Sequence, residues 1–139
     1  MKKYTLINNI TGWAAFAIAA FTFLKTIEPT TSLWDCSEFI SSAFRMEVGH
    51  PPGNPVFMIM ARFFTLFAGG NVSRVAAMMN SMSALASAFA VLFLFWSITH
   101  LAKKIMIKDE NQYTQGRIMA VMAAGLVGAC AYGLSLIHI

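Results

Sequence analysis

"VAAMMNSMSALASAFAVLFLFWSITHLA" fills residues 75–102 without one Asp, Glu, Lys or Arg. At a rise of about 1.5 Å per residue, such a run more than covers a hydrocarbon core roughly 30 Å thick. It ends at Lys103 and Lys104, cations that favour the headgroup region. Two further uncharged runs flank it: Tyr4 to Leu24, preceded by Lys2 and Lys3, and Ile118 to Ile139, preceded by Arg117. Backbone polar groups in lipid must be bonded internally, so runs of this kind predict helices and an all-α membrane protein. The composition agrees, since 58% of the chain is hydrophobic and only 12% is charged, about half the charged share of a soluble domain.

The net charge is +4, and its cations stand mostly in small groups beside the apolar runs. No basic patch is interleaved with aromatic residues, so the partner this charge implies is a lipid bilayer and not a nucleic acid. Cys36 and Cys130 make neither a disulfide framework nor a metal motif.

Three transmembrane helices are expected, over about residues 5–26, 75–101 and 118–137, with the N-terminus cytoplasmic. A cleaved signal peptide ending at Ala17-Ile18-Ala19 is the rival for the first, but its length and the later spans weigh against it. Residues 55–68 are apolar yet short, are interrupted by Arg62, and end at Gly69-Gly70-Asn71. They read as one short partial or re-entrant helix. If this helix does not cross, Lys103, Lys104 and Lys108 share the cytoplasmic side with Lys2 and Lys3, as the positive-inside rule prefers. On either count residues 28–54 form an outer loop. Small residues spaced by four, at Ala76, Asn80, Ala84 and Ala88 and again at Ala120, Ala124 and Gly128, mark expected packing faces. Residues 103–117 read as a solvated loop.

The outer loop carries "WDCSEFISSAFRMEVGHPPGNP", residues 34–55. Ser32 and Asp35 have capping-box spacing, which predicts a helix from near Leu33. Projected at helical period, Asp35, Glu38, Ser42 and Arg45 fall on one stripe, and Cys36, Phe39, Ile40, Ala43 and Phe44 on the other. This is an amphipathic outer-surface helix. One of its carboxylates can take a proton from a hydroxyl nucleophile, or the two can hold a divalent cation beside a phosphate. Acids favoured by a helix dipole are the plainer alternative, and spacing leaves both open. "GHPPGNP", residues 49–55, is a rigid turn in which Gly53 permits a sharp bend and Pro55 opens the next helix. A helix start attracts anions such as a lipid-linked phosphate, to which His50 can donate; a purely structural elbow is the alternative. Arg62 can pair with a phosphate or a buried acid, or snorkel.

The combination Trp34, Asp35, Glu38, Phe39, then His50, Pro51, Pro52, Gly53 and Pro55, then Ala61 and Arg62, resembles a bacterial membrane family long catalogued as a domain of unknown function. That family is similar to the protein O-mannosyltransferases and belongs with the GT-C glycosyltransferases. The resemblance covers roughly residues 10–104 and implies a truncated GT-C-like module. It implies transfer of a mannose-like sugar from a polyprenyl-phosphate donor to Ser or Thr of an acceptor protein, at the outer face of the bacterial inner membrane. Asp35 matches the essential acid of the first outer loop, with Glu38 the second catalytic candidate. His50, Gly53, Arg45 and Arg62 are the substrate-binding candidates, facing the donor phosphate. No protein-bound metal is assigned, although a divalent cation is compatible with the acids. Members of the family have more spans, so the chain is expected to be an N-terminal fragment, inactive by itself, with residues 134–139 ("LSLIHI") a non-native tail. The competing reading is a non-enzymatic membrane protein: a transporter segment gated by Asp35, Glu38 and Arg62, or a helix-packing module.

Overall fold

The computed structural model describes residues 2–32, 35–49, 54–109 and 113–137. The chain divides into two compact units: Met1–Phe23 with Ala86–Ile139, and Leu24–Leu85. Regular structure among the described residues is helical throughout. Helices α1 (Lys2–Thr26), α4 (Val75–Met106) and α5 (Gln115–Ile137) take up the three uncharged runs. All three are long and apolar enough to cross a membrane. Helix α1 stops at Thr26, three residues before Pro29, which cannot continue it. Between α1 and α4 lie α2 (Cys36–Arg45), α3 (Pro55–Thr65) and two 3₁₀ turns, Leu66–Ala68 and Val72–Arg74. The Gly69-Gly70 pair that ends the α3 segment has φ of 60° and 80°, a left-handed path that suits residues without a Cβ.

The first unit is built around Phe95, which is fully buried. Its ring stands between two glycines. A Cβ on Gly12 of α1 would lie 3.1 Å from Phe95 Cδ1, and a Cβ on Gly125 of α5 would lie 2.9 Å from Phe95 Cδ2. Neither notch has space for a side chain. Leu92 and Thr99, one turn to either side on α4, are equally buried, as is Val121 on α5. Lipid tails are as apolar as these side chains, so the helices are held by close van der Waals fit more than by escape from water.

The helices run antiparallel. Tyr4, at the start of α1, donates its hydroxyl hydrogen to the Thr99 carbonyl near the end of α4 at 3.4 Å. Farther along, Phe16 meets Phe89 with ring centroids 4.6 Å apart. The start of α1 and the end of α4 therefore share one end of the first unit, so the segment between α1 and α4 returns to the end it left. Helix α3 has 11 residues and is about 16 Å long, half the thickness of a hydrocarbon core. Both observations favour three spans.

The small-residue faces fall partly where expected. On α4, Ala84 and Ala88 are buried. On α5, Ala120 and Ala124 are exposed, and the buried stripe is Val121, Gly125, Ala129 and Gly133. Both stripes have the same spacing, and an all-apolar helix offers no polar face to choose between them. The choice falls to the stripe whose glycine admits Phe95 and Thr99.

In the second unit, α2 packs on α3. Ala43 and Ala61 are fully buried, meet Met79 and Met82, and are flanked by Ile40, Phe57, Met58 and Phe64. Phe39 and Phe57 add an edge-to-face contact at 5.8 Å. Of the apolar side projected for α2, Ala43 is buried and Cys36, Phe39 and Ile40 are half-buried, whereas Phe44 is exposed.

Neighbouring positions on α5 separate the two stripes experimentally. Gly125→Leu places a side chain where Thr99 Cγ2 lies 2.5 Å from the Cβ position, and is expected to destabilise the unit by about 1–3 kcal/mol. Ala124→Leu, on the exposed side, is expected to leave the melting temperature unchanged. Thermal unfolding of both variants in detergent micelles, followed by far-ultraviolet circular dichroism, checks the assignment.

Candidate active site

Helix α2 begins at Cys36 with Asp35 at its N-cap, later than the start near Leu33 that the spacing predicts. The Asp35 side chain makes no capping bond. Ser32 bonds to Cys36 Sγ at 3.2 Å instead of closing the expected box. The Asp35 carboxylate is thus exposed and left free of a capping role at the helix start. Glu38, one turn on, is half-buried.

The other end of α2 explains that partial burial. Met46 adopts a left-handed conformation with φ 58°. Its N–H donates to the Ala43 carbonyl at 3.4 Å, and the Glu47 N–H to the Ser42 carbonyl at 2.8 Å. This is a Schellman-type reversal with methionine where glycine is usual, at a conformational cost of roughly 1 kcal/mol. The reversal folds the chain back over the polar stripe. Ser42 is buried although it lies on that stripe. A Cβ on Gly49 would lie 3.2 Å from Glu38 Oε1 and 3.8 Å from Ser42 Oγ. The backbone at Gly49, the residue that precedes His50 in the chain, therefore lies against the second acid of D-x-x-E. His50, Pro51, Pro52 and Gly53 themselves lie outside the described residues. Beyond them Pro55 occupies the first turn of α3, as the sequence predicts.

Arg62 projects from α3 to the C-terminal end of α2. Its Nη1 donates to the Phe44 carbonyl at 2.7 Å and to Thr65 Oγ1 at 3.4 Å. The guanidinium lies 5.4 Å from the Phe44 ring centroid. A positive group here satisfies one of the carbonyls a helix leaves unbonded and complements the dipole. Arg45 is exposed and lies 3.8 Å from Glu47, a surface pair of small energetic value. The acids and the guanidinium groups thus occupy opposite ends of α2, a 10-residue helix about 15 Å long. Among the described residues no three His, Cys, Asp or Glu side chains are placed to hold a metal ion.

Asn80 is a further positioning residue, grouped by its spacing with the small residues of α4. Its amide donates to the Glu28 carbonyl at 2.7 Å and to the Thr30 carbonyl at 3.0 Å. The Thr30 hydroxyl in turn donates to Glu28 Oε1 at 2.7 Å. One side chain from α4 thereby fixes the segment that leads into α2. The signal that could have found it is the one carboxamide in the uncharged run 75–102. Asn71, by contrast, caps the turn before α4, accepting from the Ser73 N–H at 3.0 Å.

These features define a multi-pass membrane protein with an acid-bearing helix docked on a short apolar one. Residues 35–137 match the family model of the Protein O-mannosyl-transferase TMEM260 N-terminal domain, and the chain belongs to that family. Over 90 residues, 64% of this chain, it is 34% identical to Protein O-mannosyl-transferase TMEM260 of Mus musculus. That stretch is 12% of the mouse protein's length. No solved structure matches the chain.

Two substitutions test the local architecture. Arg62→Gln removes the charged donor from the Phe44 carbonyl and is expected to destabilise the α2–α3 pair by about 1–2 kcal/mol. Met46→Gly relieves the left-handed strain at an exposed position and is expected to stabilise it by about 0.5–1 kcal/mol. Amide hydrogen exchange of residues 36–45 reads both effects, with opposite sign.

Proposed function

We propose that the chain is the N-terminal part of a membrane glycosyltransferase of the GT-C type. It moves a mannose-like sugar from a polyprenyl-phosphate donor to a protein Ser or Thr. The observation that carries this reading is the free, exposed carboxylate of Asp35 beside Glu38, whose side chain in turn touches the approach to the HPPG turn. Family membership supports it, because the matched family is the N-terminal domain of a protein O-mannosyl-transferase.

In this reading Asp35 takes the proton of the acceptor hydroxyl while that oxygen bonds to the anomeric carbon of the sugar. The bond from that carbon to the phosphate oxygen breaks, and its electron pair leaves with the polyprenyl phosphate. Glu38 orients the acceptor or shares the proton. His50 and Gly53 border the donor phosphate, with Arg45 and Arg62 adding positive charge from the far end of α2. The bundle end that carries Lys2, Lys3, Lys103 and Lys104 faces the cytoplasm, so a single crossing by α1 delivers residues 28–54 to the outer side. The host membrane implied by the sequence resemblance is the inner membrane of a bacterium.

Asp35→Asn, made in the longest enzyme that contains this sequence, is expected to lower sugar transfer from polyprenyl-phosphate mannose to a Ser/Thr peptide by at least about 100-fold. Membrane insertion should be unchanged, because the carboxylate caps nothing. Transfer at the parent rate would remove Asp35 from the mechanism. Ser37→Cys, at an exposed position of α2, should react with a membrane-impermeant maleimide only from the outer side. Labelling from the cytoplasm would reverse the topology.

A further inference from the structure

The charges of this chain are unevenly shared. Lys25, Arg45, Arg62 and Arg74 are matched in number by Glu28, Asp35, Glu38 and Glu47. The remaining cations are Lys2, Lys3, Lys103, Lys104, Lys108 and Arg117, against Asp109 and Glu110. The whole net charge of +4 therefore belongs to the start of α1, the end of α4 and the connection into α5.

Within the first unit the structure draws these segments together. Tyr4 of α1 reaches the Thr99 carbonyl of α4, and its ring lies 5.9 Å from Tyr113, just ahead of α5, in an edge-to-face arrangement. The Lys103 ammonium lies over both rings, 5.0 Å from the Tyr4 centroid and 5.7 Å from that of Tyr113. This tyrosine–lysine–tyrosine cluster fixes the height at which the apolar spans give way to polar surroundings, since tyrosine and lysine favour the headgroup layer. Around it, Lys2, Lys3, Lys104 and Arg117 are exposed. Asp109 and Glu110 offset two of the six positive charges of these segments, and the acids elsewhere are matched by other cations, so a net charge of +4 remains here.

We infer that this end of the bundle is a docking surface for anionic phospholipid headgroups, with the cations of all three helix ends converging on lipid phosphates. Charge complementarity selects the occupant. A zwitterionic headgroup cancels much of the attraction, whereas each cation near an anionic lipid surface adds to it. The Tyr4–Lys103–Tyr113 cluster gives the surface a defined position, and the exposed cations give it affinity. This inference is independent of any role for Asp35.

The test uses the purified chain in nanodiscs of phosphatidylcholine containing about one quarter phosphatidylglycerol, a content high enough to make the surface anionic. Native mass spectrometry counts the lipids that stay bound after release. Wild type is expected to retain phosphatidylglycerol over phosphatidylcholine. The variant Lys2→Gln, Lys3→Gln, Lys104→Gln and Arg117→Gln should lose that preference by about tenfold or more. A control, Lys25→Gln and Arg74→Gln, lowers net charge elsewhere and should keep it. Circular dichroism confirms that each variant is helical; if the four-fold variant is not, single replacements of Lys104 and Arg117 are expected to give graded losses instead. Equal retention of the two lipids by wild type, or equal loss in variant and control, would overturn the inference. So would heparin binding to the micellar protein as tight as its binding of phosphatidylglycerol, which would point to a soluble acidic partner.

Discussion

The ring of Phe95, held between Gly12 and Gly125, is the contact on which the membrane bundle depends. In lipid no water is driven out when helices meet, so shape has to supply the attraction. A large flat side chain entering two opposed notches brings three backbones within reach of one another at a single level. The other contacts follow from that approach. Leu92 and Thr99 are buried because Phe95 is seated, and the Tyr4 hydroxyl meets the Thr99 carbonyl because the helices are already aligned.

The second unit is organised by different physics. Its helices are too short to be stable alone, so an alanine contact, Ala43 against Ala61, and a guanidinium on a helix end fix their pairing. The left-handed Met46 then turns the chain back on itself, so that the glycine before the HPPG turn rests on Glu38. The acid motif and the residue just ahead of the second motif thereby become neighbours. That union gives a pair of acids, unremarkable by spacing, a defined neighbour. It also leaves Asp35 exposed.

The spans were legible because charge is excluded from lipid, and a run such as residues 75–102 leaves little choice of structure. The α2 pattern was legible for the complementary reason: near water the polar and apolar sides contrast, and Ile40 and Ala43 went to the covered side. What could not be read were choices among equals. On α5 two small-residue stripes have the same spacing, and only the position of Phe95 favours Gly125 and Ala129 over Ala120 and Ala124. The capping box at Ser32 failed because the helix starts at Cys36, a matter of a few residues on which local spacing has little hold. Met46 gave no warning, since methionine rarely turns left. Asn80 was misread as merely small, because its partners are backbone carbonyls and carry no sequence signature. The separation of Asp35 from Arg45 follows from helix length alone. Grouping them on one stripe recorded direction around the axis and not distance along it.

The seating of Phe95 also bears on how the protein is made. Gly12 emerges from the ribosome long before Phe95, and Gly125 after both. The first helix must therefore enter the bilayer as a solitary segment, stable there on the strength of its own apolar length. Its notch stays filled by acyl chains until the fourth helix is threaded and displaces them. Assembly thus waits on translation: the central helix is the latecomer that recruits its elder neighbour, and the fifth completes the clasp from the opposite flank.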